Sequence, residues 1–340
     1  MIFSDKLSER LKNSDAPALD FISRRCLRSR FQDSSCVRCI SECPVRAIRA
    51  DQGGVTIDSK LCVGCLACTA ACPAEALVGC DSRLAAAPAK VAAGKAVSFC
   101  CEKAIRTGEE IILPCLGSLA EEQLVAYAAR SAEGVCLYLT QCGNCRASFV
   151  PDILARRLRT LESKLGRDGL TTVIRLITRE EEAAAGQTAG SSSRRAFFRA
   201  FWDISLHAAT ETITTLQAEP DPREKHAHKH QPARLTLLRR ALADSGEEAT
   251  RLAILSFFFT LTVNTECNFC GACTGMCPTG ALKNTWEGGM KQLQFAWARC
   301  SGCGLCLEFC REKAITLVAG RSLESLDPEI EVLLQQLDPE

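Results

Sequence analysis

Cysteine spacing constrains this chain more than any other feature of its sequence. Three runs of the form Cys-x-x-Cys-x-x-Cys-x-x-x-Cys begin at Cys62, Cys267 and Cys300, and a shorter run begins at Cys36. The same two kinds of residue follow every run at a fixed distance, as Ala47-Ile48, Ala76-Leu77, Ala281-Leu282 and Ala314-Ile315. Because the runs fall into two tandem pairs, the sequence predicts an internal duplication.

This spacing suits the coordination of an iron–sulfur cube. A [4Fe–4S] cluster needs one thiolate at each iron corner, and two-residue gaps let a tight loop reach three corners. Small residues in these loops let the main chain approach the cluster closely, and they are Gly64, Gly271, Gly302 and Gly304. The alternative is a structural zinc site, which usually has two Cys-x-x-Cys pairs separated by a longer loop. Three complete runs in tandem pairs favour iron–sulfur clusters.

The runs resemble the cluster sites of the bacterial dicluster ferredoxin family, once in residues 24–80 and again in residues 262–318. This resemblance implies two small α+β units with two [4Fe–4S] clusters each, and strands such as Ala47-Ile48 and Val55–Ile57 after the runs. It also implies that the fourth cysteine of a run serves the other cluster of its pair. The implied ligands are Cys36, Cys39 and Cys72; Cys43, Cys62, Cys65 and Cys68; Cys267, Cys270, Cys273 and Cys310; and Cys277, Cys300, Cys303 and Cys306.

Two positions depart from the family pattern. The first run has Asp33 at its leading position, so Asp33 could ligate iron or the cluster could be a three-iron form. Cys26, ten residues before Cys36, could reach the same corner through a longer loop, and we predict it as the ligand. The last run has Arg311 where the other runs have Pro. A cation there would raise the reduction potential of its cluster, but a solvated surface charge is the favoured interpretation.

Residues 90–180 alternate strand-like and helix-like segments, which predicts a small parallel α/β domain. The predicted strands are Ala96–Phe99, Ile111–Leu113, Val135–Leu139 and Thr171–Ile177. One helix is predicted after Gly117, with Ser118 and Glu121 as a capping box, and another from Pro151. Cysteines follow three of the strands, and ligands collect at the carboxyl edge of a parallel sheet. The sequence therefore predicts a fifth metal centre, held by Cys100 or Cys101 together with Cys115, Cys142 and Cys145.

This middle segment resembles the delta subunit of the methyl-viologen-reducing hydrogenase, which carries a [2Fe–2S] cluster. Residues 113–117 and 141–145 carry the resemblance, whereas the doublet Cys100-Cys101 stands in place of a Cys-x-x-Cys pair. The centre could therefore be a [2Fe–2S] or a [4Fe–4S] cluster, with one cysteine of the doublet spare. Heterodisulfide reductase catalytic subunits are similar to a lesser degree, because their Cys-Cys-Gly has Glu102 in the third position here. Buried small side chains are the alternative, and we adopt it for Cys80 and Cys136.

The predicted fold class is α+β, with two ferredoxin-like dicluster domains, residues 24–85 and 251–320, flanking the small parallel α/β domain. Residues 1–23 are predicted to be an N-terminal extension and residues 181–250 a linker with helices, one of them basic at Arg194-Arg195. The tract with His226, His228 and His230 is interpreted as a solvated loop without a metal role. Residues 321–340 are predicted to be a tail with a short surface helix.

Composition limits the partners and the compartment. The chain has 41 Lys and Arg against 40 Asp and Glu, so its charge gives no general attraction to nucleic acid. It starts without an apolar signal region, and its longest apolar run, Leu252–Val263, is too short to span a bilayer. The 23 cysteines therefore indicate metal-ligating thiols in a reducing, cytoplasmic compartment, without membrane insertion.

The functional prediction is an electron-transfer subunit that carries four [4Fe–4S] clusters and a probable fifth centre, without catalytic residues of its own. Sequence signatures for dinucleotide, nucleotide-triphosphate, zinc-hydrolase and serine-hydrolase sites are absent from the sequence. By resemblance, the partners are larger redox enzyme subunits: a molybdenum or tungsten enzyme, a hydrogenase or a heterodisulfide-reductase-like complex. The alternatives are a thiol or disulfide reductase with its active centre in the middle domain, and a redox sensor.

Overall fold

The computed structural model describes residues 19–91, 94–104, 109–131, 133–166, 173–179, 226–326 and 329–337. The first 18 residues of the predicted extension and the predicted basic helix at Arg194-Arg195 lie outside the described residues. Within the described part of the chain, the strands form one four-stranded parallel sheet and four smaller antiparallel sheets.

The first cysteine-rich unit consists of two small antiparallel sheets and three short helices. Strand β1 (Leu19–Phe21) pairs with β4 (Leu77–Gly79), and β2 (Ile48–Asp51) pairs with β3 (Gly54–Ile57). The helices are α1 (Leu27–Arg30), α2 (Arg38–Ser41) and α3 (Ala67–Ala71). Ile48 lies opposite Ile57, which confirms the strand pair predicted after the first run.

The middle segment forms the parallel sheet, preceded by helix α4 (Ser82–Lys90). Its strands are β5 (Val97–Cys101), β6 (Ile111–Leu113), β7 (Val135–Tyr138) and β8 (Ile174–Ile177), in the order β6-β5-β7-β8. Helix α5 (Glu121–Arg130) and helix α6 (Val150–Leu165) connect the strands and bury Leu124, Leu154 and Leu161 completely. The first three strands and the second helix predicted here are therefore confirmed, and so is the strand at Ile174–Ile177, while residues 171–172 of that prediction lie outside the described residues.

The capping box predicted for α5 is wrong. Ser118 belongs to a tight turn before the helix, Leu116–Ser118, where its hydroxyl donates to the carbonyl of Cys115 at 2.8 Å. The helix starts later, and the main-chain N–H of Ala120 donates to the side-chain oxygen of Gln123 at 3.0 Å. Because this turn takes up Ser118, the helix begins only at Glu121.

The second cysteine-rich unit follows helices α7 (Ala233–Asp244) and α8 (Glu248–Leu255). Strand β9 (Phe259–Val263) pairs antiparallel with β12 (Ile315–Ala319), and the run loops hold helices α9 (Ala272–Met276) and α10 (Leu305–Phe309). Strands β10 (Leu282–Glu287), β11 (Met290–Ala296) and β13 (Ile330–Leu337) form a three-stranded sheet in that order.

The surface helix predicted for the tail is wrong, because residues 330–337 form β13 and pair antiparallel with β11. Acidic and aliphatic residues alternate only over Glu329–Val332, and Leu333–Leu337 have no repeat of two residues, so the sequence pattern alone does not identify this strand. The strand forms because β11 supplies main-chain hydrogen-bonding partners along its length.

One hydrophobic core joins the parallel sheet to the second unit. It contains Phe99 and Leu137 of the sheet, Leu238 of α7, and Phe258 and Phe295 of the second unit, all completely buried. Helix α7, in the segment predicted as a linker, thus packs into this core. Among the described residues, no helix has the length and apolar character needed to cross a membrane.

Candidate metal centres

All 23 cysteines lie within the described residues, and none of them forms a disulfide bond. Five groups of thiols can be recognised, because the members of each group affect one another's pKa through their charges. We name them set 1 (Cys26, Cys36, Cys39, Cys72), set 2 (Cys43, Cys62, Cys65, Cys68), set 3 (Cys267, Cys270, Cys273, Cys310), set 4 (Cys277, Cys300, Cys303, Cys306) and the middle set (Cys101, Cys115, Cys142, Cys145).

The chain has the same local geometry after the last cysteine of every run. That cysteine is the last one of its run, Cys43, Cys72, Cys277 or Cys310. The third residue after it has a left-handed backbone, with φ of 52° at Arg46, 49° at Glu75, 68° at Gly280 and 51° at Lys313. The next main-chain N–H then points back at the sulfur, as in Ala47 to Cys43, Ala76 to Cys72, Ala281 to Cys277 and Ala314 to Cys310. These N–S distances lie between 3.2 and 3.4 Å. The geometry explains the repeated Ala, which is at most 2% exposed in all four copies.

Set 1 contains Cys26. From the sequence, Cys26 and Asp33 are both candidates for the same ligand position. Burial raises the pKa of the Cys39 thiol to about 12, and the charges of Cys72, Cys36 and Cys26 add to the rise. Burial also raises the pKa of Cys36, with Cys72 and Cys26 again among the causes. The side chain of Asp33 is exposed. The structure therefore brings Cys26, and not Asp33, into this group of thiols.

Set 2 surrounds a cavity in the first unit. All four cysteines line this small cavity. The other lining residues include Leu19, Ile48 and Ile57, so the surroundings are apolar. Burial raises the pKa of the Cys68 thiol, and the charges of Cys65, Cys62, Cys39 and Cys43 add to this.

Sets 3 and 4 each combine cysteines from both runs of the second unit. Burial raises the pKa of Cys273 to about 12, with contributions from Cys267, Cys270 and Cys310. Burial likewise raises the pKa of Cys306, with contributions from Cys303, Cys300 and Cys277. Cys310 thus lies with the preceding run and Cys277 with the following one, which is the exchange that the family resemblance implies.

The middle set lies at the carboxyl edge of the parallel sheet. Burial raises the pKa of Cys115 to about 12, and Cys65, Cys101 and Cys142 contribute to the rise. Burial raises the pKa of Cys142 to about 11, with contributions from Cys101 and Cys145. Cys101 therefore belongs to the group formed by these three strand ends.

The other cysteine of the doublet lies on the opposite face of the sheet. Cys100 is completely buried and packs with Ala104 and Tyr138. Neighbouring strand residues point to opposite faces, which explains why the two cysteines separate. Cys136, half-buried, packs against the same small cluster, as expected for a structural cysteine. The same expectation is wrong for Cys80, which is exposed because it follows the short edge strand β4.

The five groups follow one another in a row. Cys306 of set 4 is acted on by Cys273 of set 3, and Cys68 of set 2 by Cys39 of set 1. Cys36 of set 1 and Cys303 of set 4 pack against one small core of Leu27, Ala74, Met276 and Leu305. Set 2 lies next to the middle set, since Gly117, two residues after Cys115, lies directly against the carbonyl of Cys65 and the charge of Cys65 acts on Cys115. The order is set 3, set 4, set 1, set 2, middle set.

Arginines accompany the inner groups of thiols. Arg38 donates to the carbonyl of Gly302 at 3.1 Å, and its charge acts on both Cys36 and Cys303. Arg157 on α6 donates to the carbonyl of Ala67 at 3.3 Å, and its charge acts on Cys65. Positive charges beside buried thiols favour the thiolate form, which is the form that binds iron.

These donors fit iron–sulfur clusters. Each group offers four soft sulfur ligands, with main-chain N–H groups at the last cysteines of the runs and arginines near the inner groups. Within the described residues, no group of three or more Cys, His, Asp or Glu side chains is arranged to hold one metal ion. A cubane places each thiolate on a different iron, so its ligands need not converge on a single point.

Three residues that connect the units belong to no recognisable sequence motif. Lys229 donates to the carbonyls of Thr274, Gly275 and Cys277 at 2.7–3.0 Å, and so holds the end of α9. Arg234 on α7 is buried and donates to the carbonyls of Ala70 and Cys72.

The third of these residues is Glu75, which binds the His tract to the first unit. Its carboxylate accepts from His230 Nε2 at 2.9 Å and from the N–H of Ala233, at the start of α7, at 3.1 Å. Burial opposes ionisation of Glu75, but His230 and Arg234 outweigh it and lower its pKa. The interpretation of residues 226–230 as a solvated loop is therefore wrong, because Glu75 and α9 hold this tract.

Two protein-family models match the chain. The model described as 4Fe-4S dicluster domain matches residues 266–315, and the model described as 4Fe-4S binding domain matches residues 55–78. Searches of curated proteins and of solved structures return no match. Two ferredoxin-type 4Fe–4S domains are thus present, one over sets 3 and 4 and one over the run that begins at Cys62. The middle segment lies outside both matches.

Proposed function

We propose that this protein is an iron–sulfur subunit that relays single electrons through four [4Fe–4S] clusters and one further [2Fe–2S] or [4Fe–4S] cluster. The observation that carries the proposal is the continuous row of thiol groups from set 3 to the middle set. Iron–sulfur clusters accept and donate one electron at a time, and a row of them suits transfer between distant partners. The two family matches support this role for both cysteine-rich units.

The chain's own residues hold and insulate the row. Cys65, Cys72, Cys277 and Cys300 are at most 9% exposed, so little water reaches the inner groups. The core of Leu27, Met276 and Leu305 places apolar side chains between sets 1 and 4. Arg38 crosses the same junction and fixes the two units against each other. These residues keep the groups at fixed separations, which electron transfer requires.

The two ends of the row support two separate partners. Cys270 of set 3 is exposed, whereas three of the four cysteines of the neighbouring set 4 are buried. At the other end, Cys142 and Cys145 of the middle set are partly exposed beyond the sheet edge. We propose that one end meets a larger redox enzyme, such as a molybdenum or tungsten enzyme, a hydrogenase or a heterodisulfide-reductase-like complex. A second redox protein would meet the other end.

Iron counting tests the clusters themselves. Protein purified and reconstituted without oxygen should hold about sixteen iron atoms in cubanes and two to four more in the middle centre. Eight or fewer iron atoms with all cysteines intact, or a colourless zinc protein, would contradict the proposal. Copurification from the native host tests the partners, and recovery of the chain without any redox protein would contradict that part.

The alternative function, a thiol or disulfide reductase, rests on the doublet in the middle segment. Cys100 is 0% exposed, and buried cysteines in apolar surroundings are unreactive. Turnover of a disulfide by the isolated chain with a reduced viologen would establish the alternative. Without such turnover, the relay remains the function that the thiol groups support best.

A further inference from the structure

Arg30 is a buried cation at the junction of the two cysteine-rich units. It is the last residue of α1 and is only 5% exposed. Its guanidinium donates to five main-chain carbonyls, those of Met276 at 3.1 Å, Arg24 at 2.9 Å, His228 at 3.3 Å, His226 at 3.2 Å and Gly275 at 3.2 Å. A guanidinium has five N–H donors, so these bonds satisfy all of them. Arg30 thereby links the first unit to the end of α9, directly before Cys277.

The carbonyls satisfy the hydrogen bonds of Arg30 but do not neutralise its charge. Burial lowers the pKa of Arg30, and the negative charges of Cys277 and Cys303 act in the opposite direction. Both thiols belong to set 4. Lys229 places a second positive charge close by, and the charge of Arg30 lowers the pKa of Lys229 further. Set 4 therefore faces positive charge on the side where the two units meet.

Building on the proposed function, we infer that Arg30 is the buried counter-cation of set 4. A cluster with four thiolate ligands carries net negative charge, and reduction adds one more negative unit. A fixed positive charge nearby stabilises the reduced form more than the oxidised form, and in a buried site solvent screens this effect weakly. Arg30 therefore raises the midpoint potential of the cluster in set 4. It acts on the cluster through its charge and on the ligand loop through its hydrogen bonds.

Arg311 offers a matched control in the same unit. It follows Cys310, a ligand of set 3, but its side chain is exposed. Solvent and salt screen an exposed charge strongly. Substituting the two arginines therefore compares the effect of a buried cation with that of an exposed cation. Each of them lies beside one group of thiols in the second unit.

The test uses the full chain, loaded with iron without oxygen, as wild type and as Arg30→Gln, Arg30→Lys and Arg311→Gln. Electron paramagnetic resonance during a redox titration gives the midpoint potential of each cluster, and the signal lost in Cys306→Ser identifies set 4. We expect Arg30→Gln to shift the potential of this signal to more negative values, equivalent to about a tenfold fall in its reduction equilibrium constant. Arg30→Lys should remain close to wild type, and Arg311→Gln should leave all potentials unchanged.

Each outcome decides the inference. Loss of the set 4 cluster in Arg30→Gln but not in Arg30→Lys also supports it, because the charge alone then holds the anionic cluster. An unchanged or raised potential in Arg30→Gln overturns it, and so does equal behaviour of Arg30→Gln and Arg30→Lys. If wild-type protein and Cys306→Ser hold the same amount of iron, set 4 binds no cluster. The proposed function itself then fails for set 4. The two failures are therefore distinguishable.

Discussion

Gly117 lies directly against Cys65, since a Cβ atom at residue 117 would overlap the carbonyl oxygen of Cys65. Gly117 belongs to the turn after strand β6, and Cys65 belongs to set 2 of the first unit. The contact therefore joins the edge of the parallel sheet to the first cysteine-rich unit, two residues after Cys115. It is the place where set 2 and the middle set meet.

A methyl group at this position should separate the two thiol groups. We expect Gly117→Ala to lower the stability by roughly 1–3 kcal/mol, because the obstructing atom belongs to the main chain and cannot rotate away. The visible and paramagnetic signals of set 2 and the middle set should change, and those of sets 3 and 4 should not. Anaerobic thermal unfolding and cluster spectra measure both effects. Gly53→Ala is the control, because a Cβ atom there meets nothing within 4 Å.

Arg157 fastens the same junction from helix α6. Its guanidinium donates to the carbonyls of Gly117 at 2.8 Å and Leu119 at 2.7 Å, and to the carboxylate of Glu42 at 2.8 Å. Arg157→Met would leave these buried acceptors without their donor, so we expect a loss of roughly 3–5 kcal/mol in stability. Thermal unfolding of the iron-loaded chain should show it as a lower midpoint temperature.

The neighbouring Arg156 is the control for this substitution. It binds the same carboxylate, at 2.6 Å, but its side chain is 54% exposed. Exposed ion pairs contribute little, so Arg156→Met should cost about 1 kcal/mol or less. Equal effects of the two substitutions would show that Glu42 alone, and not the buried carbonyls, determines the contribution of Arg157.

The sequence predicts the local features of this protein better than its long-range ones. Ligand groups could be inferred from spacing because three of the four cysteines in each of sets 2, 3 and 4 lie within seven residues. The doublet could not be resolved until strand β5 fixed which face Cys101 occupies. Arg30 left no signal, because it binds Met276 from 246 positions away and an arginine in a short helix has no distinctive pattern. The order of the groups was equally hidden, since it depends on how the two units pack.

Set 1 gives a direct comparison of two candidate ligands. Cys26→Ser should lower the iron content by about four atoms, or leave a three-iron cluster, because its thiol lies with Cys36, Cys39 and Cys72. Asp33→Asn should change neither the iron content nor the spectra, since Asp33 is exposed. Iron analysis and paramagnetic resonance of both variants make the comparison. Loss of iron in Asp33→Asn with full iron in Cys26→Ser would reverse the assignment.

The doublet of strand β5 gives the corresponding comparison in the middle segment. Cys101→Ser should remove the signal of the middle centre and leave the four cubane spectra unchanged, because Cys101 acts on both Cys115 and Cys142. Cys100→Ala should keep that signal, with a modest loss of stability, because Cys100 packs with Ala104 and Tyr138 on the other face. Absorbance and paramagnetic resonance spectra of the two variants, each normalised to its iron content, measure the difference. A middle signal that survives Cys101→Ser but disappears in Cys100→Ala would mean that the sheet presents the other face of β5 to the metal.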